Sequence, residues 1–317
     1  MPKVSVLIPA FNAERTIDSC IRSVLNQTWS DFELIVFDDG STDATSQIIA
    51  KYAMIDDRVI HQRCPSRGLE RTLNAMVEFS RGEYLARLDS DDEAMPERLE
   101  KQVAYLESHP KCSLVGSAVT YIDEDGDAYC VDVLPLDHQE IEQRLLNGQG
   151  GLIHPSVMIR KAILVEVGGY ALDFKYVEDQ ELWLRIAMGG QLANLAEPLT
   201  RYRVHPENRS FTAAETARQN LVKVLRISHE MRGVALNDRI LRQESCTQNV
   251  HERARHWAWS AIQAGNGKTA RKHAWNLLIK GPWLIASWKL FFFAYFPKFS
   301  QACHQILNGF RSRDDCR

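Results

Sequence analysis

Two acidic runs stand out by where they fall in the chain. Phe37-Asp38-Asp39-Gly40-Ser41-Thr42-Asp43 and Leu88-Asp89-Ser90-Asp91-Asp92 each follow a short apolar stretch of β-favouring residues. Open α/β sheets bind ligands at strand carboxyl ends, so both runs occupy positions suited to chemistry. Three carboxylates within four residues repel one another unless a positive charge lies among them. A hard divalent cation, held by one or two carboxylates and completed by a substrate's phosphates, supplies that charge, so Mn2+ or Mg2+ with a phosphorylated substrate is expected. The plainer reading is that Asp39, Ser41 and Thr42 only shape a turn and cap a helix, and that residues 89–92 form a solvated loop ahead of Pro96.

A third acidic group, Val177-Glu178-Asp179-Gln180-Glu181, opens a segment with helical periodicity through Leu182 and Ile186. Carboxylates also favour a helix N-terminus for dipole reasons alone. His154 in Ile153-His154-Pro155 and His205 in Tyr202-Arg203-Val204-His205 are a candidate pocket residue and a candidate metal ligand, each with a structural role as the alternative. The chain has no Walker loop, no dinucleotide glycine fingerprint after its first strand and no nucleophile elbow. Phosphate is therefore expected to bind through metal.

The elements that must carry these residues alternate. Strands are predicted over Val4–Ile8, Phe32–Phe37, Val59–Gln62, Tyr84–Leu88 and Leu114–Tyr121. Helices are predicted over Glu14–Gln27, Thr42–Tyr52 and Leu69–Ser80, with another opened by Pro96 that places Leu99, Val103 and Leu106 on one face. Such alternation predicts a parallel sheet flanked by helices. After about residue 125 the pattern weakens to a strand over Ser156–Ile159 and a helix over Asp179–Met188, and a mixed sheet is expected there. From Ala213 onward only helical stretches remain, at Leu221–Met231, Asp238–Ala264 and Thr269–Ile279. The apolar segment Trp283–Phe296 is too short to span a bilayer comfortably.

With 317 residues, 45% apolar and 25% charged, the chain is neither disordered nor polytopic, and it exceeds what one core usually serves. Its net charge of -3 hides an asymmetry. Residues 251–317 carry 11 Lys/Arg against 3 Asp/Glu, a balance of +8, which leaves -11 on the rest and excludes a uniformly basic nucleic-acid binder. The seven cysteines are odd in number, scattered and never paired closely, so reduced thiols are expected. Met1-Pro2-Lys3 passes straight into the first strand without a signal-peptide pattern, which predicts a cytoplasmic location.

Taken in order, Val4-Ser5-Val6-Leu7-Ile8-Pro9-Ala10-Phe11-Asn12, Asp38-Asp39-Gly40-Ser41-Thr42-Asp43, Asp89-Ser90-Asp91-Asp92 and Glu178-Asp179 resemble the inverting family-2 glycosyltransferases of the GT-A fold, non-processive bacterial type. Arg81-Gly82-Glu83-Tyr84, His154-Pro155-Ser156-Val157, Gly168-Gly169-Tyr170 and Tyr202-Arg203-Val204-His205 agree, and the resemblance covers about residues 3–211. It implies an α/β GT-A (Rossmann-like) nucleotide-sugar-binding domain with a mixed central sheet over residues 1–211, followed by a helical, basic and aromatic C-terminal region over 212–317. The implied activity is metal-dependent transfer of one sugar, with inversion, from a nucleotide sugar to a hydroxyl of a glycan or polyprenyl-diphosphate-linked saccharide. A UDP-sugar is favoured by family habit, and the implied setting is cell-surface polysaccharide synthesis: O-antigen, capsule or lipopolysaccharide.

The same resemblance distributes roles. Phe11, with Pro9 and Asn12 beside it, matches the position whose aromatic ring stacks on the base, commonly a Tyr. Asp39 matches the acid that hydrogen-bonds the base, and Arg67 and Arg71 lie where a cation could meet a phosphate. Asp89, with Ser90, falls near the ribose and sugar, Asp91 matches the direct metal ligand, and Asp179 matches the catalytic base. His205 matches a position that reaches metal or diphosphate in some relatives. The Gln-x-x-Arg-Trp motif of processive synthases is absent, which points to transfer of a single sugar. Five tryptophans and Phe291-Phe292-Phe293 among the tail's cations suggest either peripheral contact with an anionic membrane through residues 281–317 or packing of a helical subdomain. A nucleotidyltransferase of sugar phosphates, or a catalytically silent glycan-binding protein on the same fold, are the rival readings.

Overall fold

A computed structural model of the chain describes residues 1–205, 208, 213–237, 250–280 and 285–296. The expected domain boundary at 211–212, the first half of the helix expected from Asp238, and most of residues 281–317 lie outside these residues. The chain separates into two compact units, one of residues 1–119, 132–202 and 207–245 and the other of 120–131, 203–206 and 246–317.

The first unit is built on a curved mixed sheet. Its first half is parallel: β1 (Val4–Ala10) lies between β2 (Phe32–Asp38) and β4 (Tyr84–Arg87), and β3 (Val59–Arg63) adds to β2. The remaining strands are β5 (Glu93–Ala94), β6 (Cys112–Ile122), β7 (Ala128–Asp132), β8 (Met158–Arg160) and β9 (Gln191–Arg203). The order is β3-β2-β1-β4-β8-β6-β9-β5, with β7 paired to β6, and β8 runs antiparallel to both β4 and β6. The expected GT-A architecture, with a mixed sheet in its second half, is what the chain adopts.

Every residue of β1 and β2 is buried, because helices cover both faces of the sheet. Val4, Val6, Ile8, Leu34 and Val36 face one core, shared with Ile17 and Ile21 of α1 (Ile17–Leu25), Ile49 of α2 (Thr45–Ile55) and Leu99 and Val103 of α4 (Arg98–Ser108). Leu7, Ile35, Phe37 and Leu85 face the other, shared with Leu73 of α3 (Leu69–Phe79), Ile141 of α5 (His138–Leu146), Leu164 of α6 (Lys161–Glu166) and Trp183 of α7 (Glu178–Ile186). This period-two division is what makes the strands read as unbroken apolar runs.

Several elements escaped the sequence pattern. Helix α5 carries a short capping signal, the Asp137 side chain accepting from the Glu140 N–H at 3.0 Å, but its face is mostly polar. Strand β9 is 13 residues long yet half its side chains are exposed or intermediate, so it lacks an apolar run. Helix α8 (Ala214–Arg232), expected to start the C-terminal region, belongs to the first unit, where Arg232 bonds the Leu184 carbonyl at 2.8 Å and Asn220 the Lys175 carbonyl at 3.1 Å.

In the second unit the turn at 123–127 joins β6 to β7 and docks on α10 (Gly267–Lys280). Asp123 receives Lys272 at 2.7 Å and His273 at 2.9 Å; although burial opposes its ionisation, these partners hold its carboxyl far below the usual range. Helices α9 (Val250–Gln263), α10 and α11 (Ile285–Tyr295) pack through small side chains, Ala258, Ala261, Ala270, Ala274 and Ala294 all being buried. Phe293 meets Trp259, and Phe291 meets Trp275, each edge-on or tilted with centroids under 6 Å apart. No described helix is long and apolar enough to cross a membrane.

The edge of the sheet that carries Asp89 is fixed by buried polar bonds from α4. Arg98 Nη2 donates to the carbonyls of Arg87 (2.7 Å) and Val157 (3.2 Å), and its Nε to Gln102 Oε1 (3.1 Å). Gln102 Nε2 in turn donates to the carbonyls of Val115 (3.1 Å) and Ser156 (2.7 Å). One amide therefore satisfies two buried acceptors, one on β6 and one in the short 3-10 turn His154–Ser156. Gln102→Ala should lower unfolding free energy by about 2–4 kcal/mol in a denaturant titration, since each abandoned buried acceptor costs roughly 1–3 kcal/mol.

Candidate active site

The first wall of the site is built from the loops that follow β1 and β2. Asn12 takes a left-handed conformation, φ 49°, and its side chain accepts from the Thr42 N–H at 2.9 Å while its own N–H donates to Ser41 Oγ at 2.9 Å. Ala13 N–H donates to Thr45 Oγ1 at 2.8 Å. These bonds stitch the two loops together and leave Phe11 55% exposed, an aromatic face presented at the sheet's carboxyl edge. Pro9 stays buried within β1, paired in register with Phe37.

Asp38 is wholly buried; its Oδ1 accepts the Ser41 N–H at 2.8 Å and Arg63 Nε lies 3.6 Å from Oδ2. Asp39 is the centre of a small cradle. Its Oδ1 accepts from the Arg67 N–H (3.0 Å) and Thr72 Oγ1 (3.0 Å), and its Oδ2 from the Gly68 N–H (3.1 Å). Gly40, at φ 84°, lets the 66–68 segment close over the loop, because a Cβ there would stand 2.8 Å from the Ser66 backbone nitrogen. Arg67 lies half-buried with its guanidinium 5.8 Å from the Phe37 ring centre, and Arg71 is exposed on α3.

The second wall begins where β4 ends. Asp89, Asp91 and Asp92 place ligand oxygens within 4.8 Å of one another, Asp92 buried and the other two half-buried. All are hard carboxylate oxygens without a thiol or imidazole among them, a donor set that fits Mg2+ or Mn2+. Arg87, only 3% exposed, pairs with Asp89 through Nη2 to Oδ1 at 2.5 Å. Burial opposes the charge on Arg87, but Asp89, Tyr170 and Asp92 outweigh it and hold its pKa above the usual arginine value.

Asp179 stands in the first turn of α7, its Oδ1 accepting the Gln180 N–H at 2.7 Å. Tyr176, at φ 70°, turns the chain sharply into this helix. Burial pushes the Asp179 carboxyl upward; hydrogen bonds from Gln180 and from its own N–H, together with Arg87, pull it down, Asp89 pushes it up again, and the net direction is up. Tyr170 is buried beside these groups, its hydroxyl 2.9 Å from His154 Nε2 and its backbone fixed to Asn74 by two bonds of 2.8 Å. Burial raises the phenol's pKa; Arg87 opposes this and Asp179, Glu178 and Asp89 reinforce it, so Tyr170 stays protonated at neutral pH.

The structure thus gathers Pro9, Phe11, Asn12, Asp39 and Arg67 around the β1 and β2 loops, and Asp89, Ser90 and Asp91 on the loop beyond β4. Asp179 shares the electrostatic surroundings of Asp89 through Arg87. His205 belongs to the second unit, whereas the carboxylates belong to the first. Arg87 and Tyr170 border these carboxylates electrostatically without having been given a role from the sequence: Arg87 is the one charge in a strand taken as apolar, and Tyr170 was quoted only within the Gly168-Gly169-Tyr170 signature.

The family model described as glycosyl transferase family 2 matches residues 5–168, and the chain belongs to that family. Among its relatives, the putative glycosyltransferase EpsE of Bacillus subtilis is 36% identical over 67% of this chain and 77% of its own. The amylovoran biosynthesis glycosyltransferase AmsE of Erwinia amylovora is 35% identical over 63% and 75%, and the O-antigen biosynthesis glycosyltransferase WbnJ of Escherichia coli 32% over 64% and 80%. The protein is therefore a glycosyltransferase. Its fold is that of Staphylococcus aureus TarS, solved in complex with UDP-GlcNAc (TM-score 0.61, 20% identity, 84% of this chain and 82% of that one). A mannosyltransferase from Pyrobaculum calidifontis, solved with GDP-Man and Mn2+, is similar at TM-score 0.53, with 18% identity over 93% of this chain and 80% of that one.

The three donors around Asp39 make a specific expectation. Asp39→Ala strands the N–H groups of Arg67 and Gly68 and the Thr72 hydroxyl, and should cost about 2–4 kcal/mol in chemical denaturation, with increased amide hydrogen exchange at residues 66–68.

Proposed function

We propose that the protein transfers a single sugar, with inversion at the anomeric carbon, from a nucleotide sugar to a hydroxyl of a glycan or polyprenyl-diphosphate-linked acceptor in cell-surface polysaccharide synthesis. The observation that carries this reading is the cluster of Asp89, Asp91 and Asp92 oxygens within 4.8 Å of one another at the end of β4, with the buried Arg87 paired to Asp89 and Asp179 subject to the charges of both. TarS bound to UDP-GlcNAc and the mannosyltransferase bound to GDP-Man and Mn2+ support a nucleotide-sugar donor, with UDP favoured, and the names of AmsE and WbnJ support the polysaccharide setting.

Phe11 is assigned to stack on the base and Asp39 to hydrogen-bond it, with Arg67 and Arg71 available to a phosphate. Asp89 and Ser90 face the ribose and sugar. Asp91, with Asp89 and Asp92 adjoining, would hold Mn2+ or Mg2+, which when bound supplies positive charge to the diphosphate leaving group. Asp179 takes the proton from the acceptor hydroxyl as that oxygen attacks the face opposite the diphosphate. A carboxyl whose pKa is raised is a stronger base than an exposed aspartate, which suits that task. No covalent enzyme intermediate is needed. His205 is kept as a second candidate for metal or diphosphate. The catalytic domain is proposed to be residues 1–211 together with α8, which packs in the same unit, and the helical region the remainder of 212–317.

The helical region is proposed to rest on an anionic membrane, on the inner face where a lipid-linked acceptor resides. Trp275 and Ile279 of α10 and Trp288, Phe292, Tyr295 and Phe296 at α11 are each 48–62% exposed. Residues 288, 292, 295 and 296 share one helical face, and exposed Arg271 and Lys289 flank the apolar groups. The face thus includes part of α10, ahead of the expected 281–317 span.

Replacing the base tests the chemistry. Asp179→Asn should reduce kcat by about 10²–10⁴-fold while UDP binding, measured by calorimetry, stays within a few-fold. In the wild type the rate should rise with pH through the raised Asp179 pKa, an acidic limb that the variant lacks. The stability sign is opposite. The folded chain holds the Asp179 proton more tightly than the unfolded chain, so this group favours folding fully below the ordinary aspartate range and less as pH rises through its folded value. Asn avoids that cost, so Asp179→Asn should melt no lower than wild type at pH 7. Full turnover in the variant would remove Asp179 from the mechanism.

Flotation with phosphatidylglycerol vesicles tests the membrane face. The wild type is expected to float with them and not with neutral vesicles, and Trp288→Ala/Phe292→Ala/Phe296→Ala to remain behind. Equal flotation of both proteins would reject this surface.

A further inference from the structure

The loop that carries Asp89, Asp91 and Asp92 is gripped along one side by α1. Cys20 and Ser23 lie one turn apart on a single face of that helix, and Gln27 follows its last turn. The Cys20 thiol donates to the Asp89 carbonyl at 3.2 Å, and the same oxygen accepts the Asp92 N–H at 3.1 Å, closing the turn that holds all three acids. Ser23 Oγ accepts the Ala94 N–H at 2.9 Å while donating to the Cys20 carbonyl at 2.6 Å. Gln27 is buried; its Nε2 donates to the Met95 carbonyl at 2.7 Å and its Oε1 accepts the N–H of Leu99, in the first turn of α4, at 3.0 Å. Three side chains thus bond the backbone where the acid loop begins, where it ends and where it enters the next helix.

Strand β9 holds the same stretch from another direction. Ala94 pairs with Thr200, the Met95 N–H donates to the Leu199 carbonyl at 2.9 Å, and Glu93 meets Arg201 at 2.6 Å. Those bonds begin beyond the acids, so the bond at Asp89 itself comes from α1. The other end of α1 starts in the first wall of the site, where the Thr16 and Ile17 N–H groups donate to the Ala13 carbonyl at 3.0 and 2.9 Å. A helix of 9 residues is a stiff rod about 13 Å long. The segment that carries Phe11 and the loop that carries the acids are therefore built on one element. Carboxylates whose oxygens lie within 4.8 Å of one another push apart, and bonds to the loop's backbone oppose that spreading without occupying a single carboxylate oxygen.

We propose that Cys20, Ser23 and Gln27 are positioning residues for the divalent cation, holding the backbone of the acid loop so that its carboxylates keep the spacing the cation needs. The inference rests on the reading of Asp89–Asp92 as the loop that holds that cation. None of the three side chains touches cation or sugar; each acts through the loop. Loss of such an outer support typically weakens metal binding about 10–100-fold. The loops after β1 and β2 keep their own bonds from Asn12, Ser41 and Asp39, so recognition of the base is left as it was.

Calorimetric UDP binding, measured once with Mn2+ and once with a chelator, tests this on wild type, Ser23→Ala, Gln27→Ala and Glu33→Gln, with thermal melting of each. Glu33 is the control: it accepts from Ser5 Oγ at 2.6 Å and from the Arg81 N–H at 2.7 Å, so its replacement lowers melting without touching the acid loop. Ser23→Ala and Gln27→Ala should bind UDP about tenfold more weakly than wild type in Mn2+ and within about threefold of it in chelator. Glu33→Gln should match wild type in both. Wild-type affinity in Mn2+ for either folded variant, an equal loss with and without Mn2+, or the same Mn2+-specific loss in Glu33→Gln would overturn the proposal. If Gln27→Ala does not fold, Ser23→Ala decides alone. The two readings fail differently. A wild type whose UDP binding ignores Mn2+, or is absent, defeats the cation reading and the proposal with it, whereas a Mn2+ dependence that Ser23→Ala retains in full defeats only the positioning role.

Discussion

Concentrating negative charge at the edge of a sheet is the constraint on which this molecule turns. Asp89, Asp91 and Asp92 place oxygens within 4.8 Å of one another, and Asp179 is subject to the charge of Asp89; carboxylates so placed repel each other and resist burial. The fold answers with arginine from beneath. Arg87 pairs with Asp89 from inside β4, and Arg98 lies behind it, its own pKa pulled down to about 9 by burial, with Asp92 opposing that fall and Arg87 adding to it, so that it too stays charged at neutral pH. Because Arg98 also holds the carbonyls of Arg87 and Val157, the charge balance and the geometry of the strand end depend on the same side chains.

The loops after β1 and β2 are organised by different physics. Asp39 is matched by backbone N–H groups and a hydroxyl instead of by a cation, so that its carboxylate fixes the fold of the 66–68 segment. The β1 and β2 loops are tied together by short side-chain bonds from Asn12, Ser41 and Thr45, which leave Phe11 outward. Hydrogen-bonded loops suit recognition of a base, where shape and polarity matter; fixed charges on a strand and a helix end suit the steps in which protons and negative charge move.

The second unit separates the tail's aromatic residues into two populations. Phe291 and Phe293 pack against Trp275 and Trp259, while Trp288, Phe292 and Phe296 present apolar surface beside cations. Packing and exposure therefore fall on different residues of the same helix. Asp123, with Lys272 and His273, secures the hairpin onto α10 independently of that surface.

What the chain spelled out locally was the framework. Strands buried on both faces show as apolar runs, acids after them show as strand-end motifs, and Asp39, Asp89, Asp91 and Asp179 could all be named because each lies in a short contiguous pattern. Helix α5 and strand β9 were illegible since their faces are largely polar, and the membership of α8 in the first unit rests on bonds to residues such as Lys175 and Leu184 that lie far from it along the chain. Arg87 and Tyr170 gained their importance only on folding. A charge in an apolar strand has no meaning until its neighbours are known, and the field that reaches Asp179 comes from segments about 90 residues apart. The sequence determined which groups could carry the chemistry; long-range packing decided which of them share a site and in what state of charge, because desolvation and Coulomb interactions depend on distance in space.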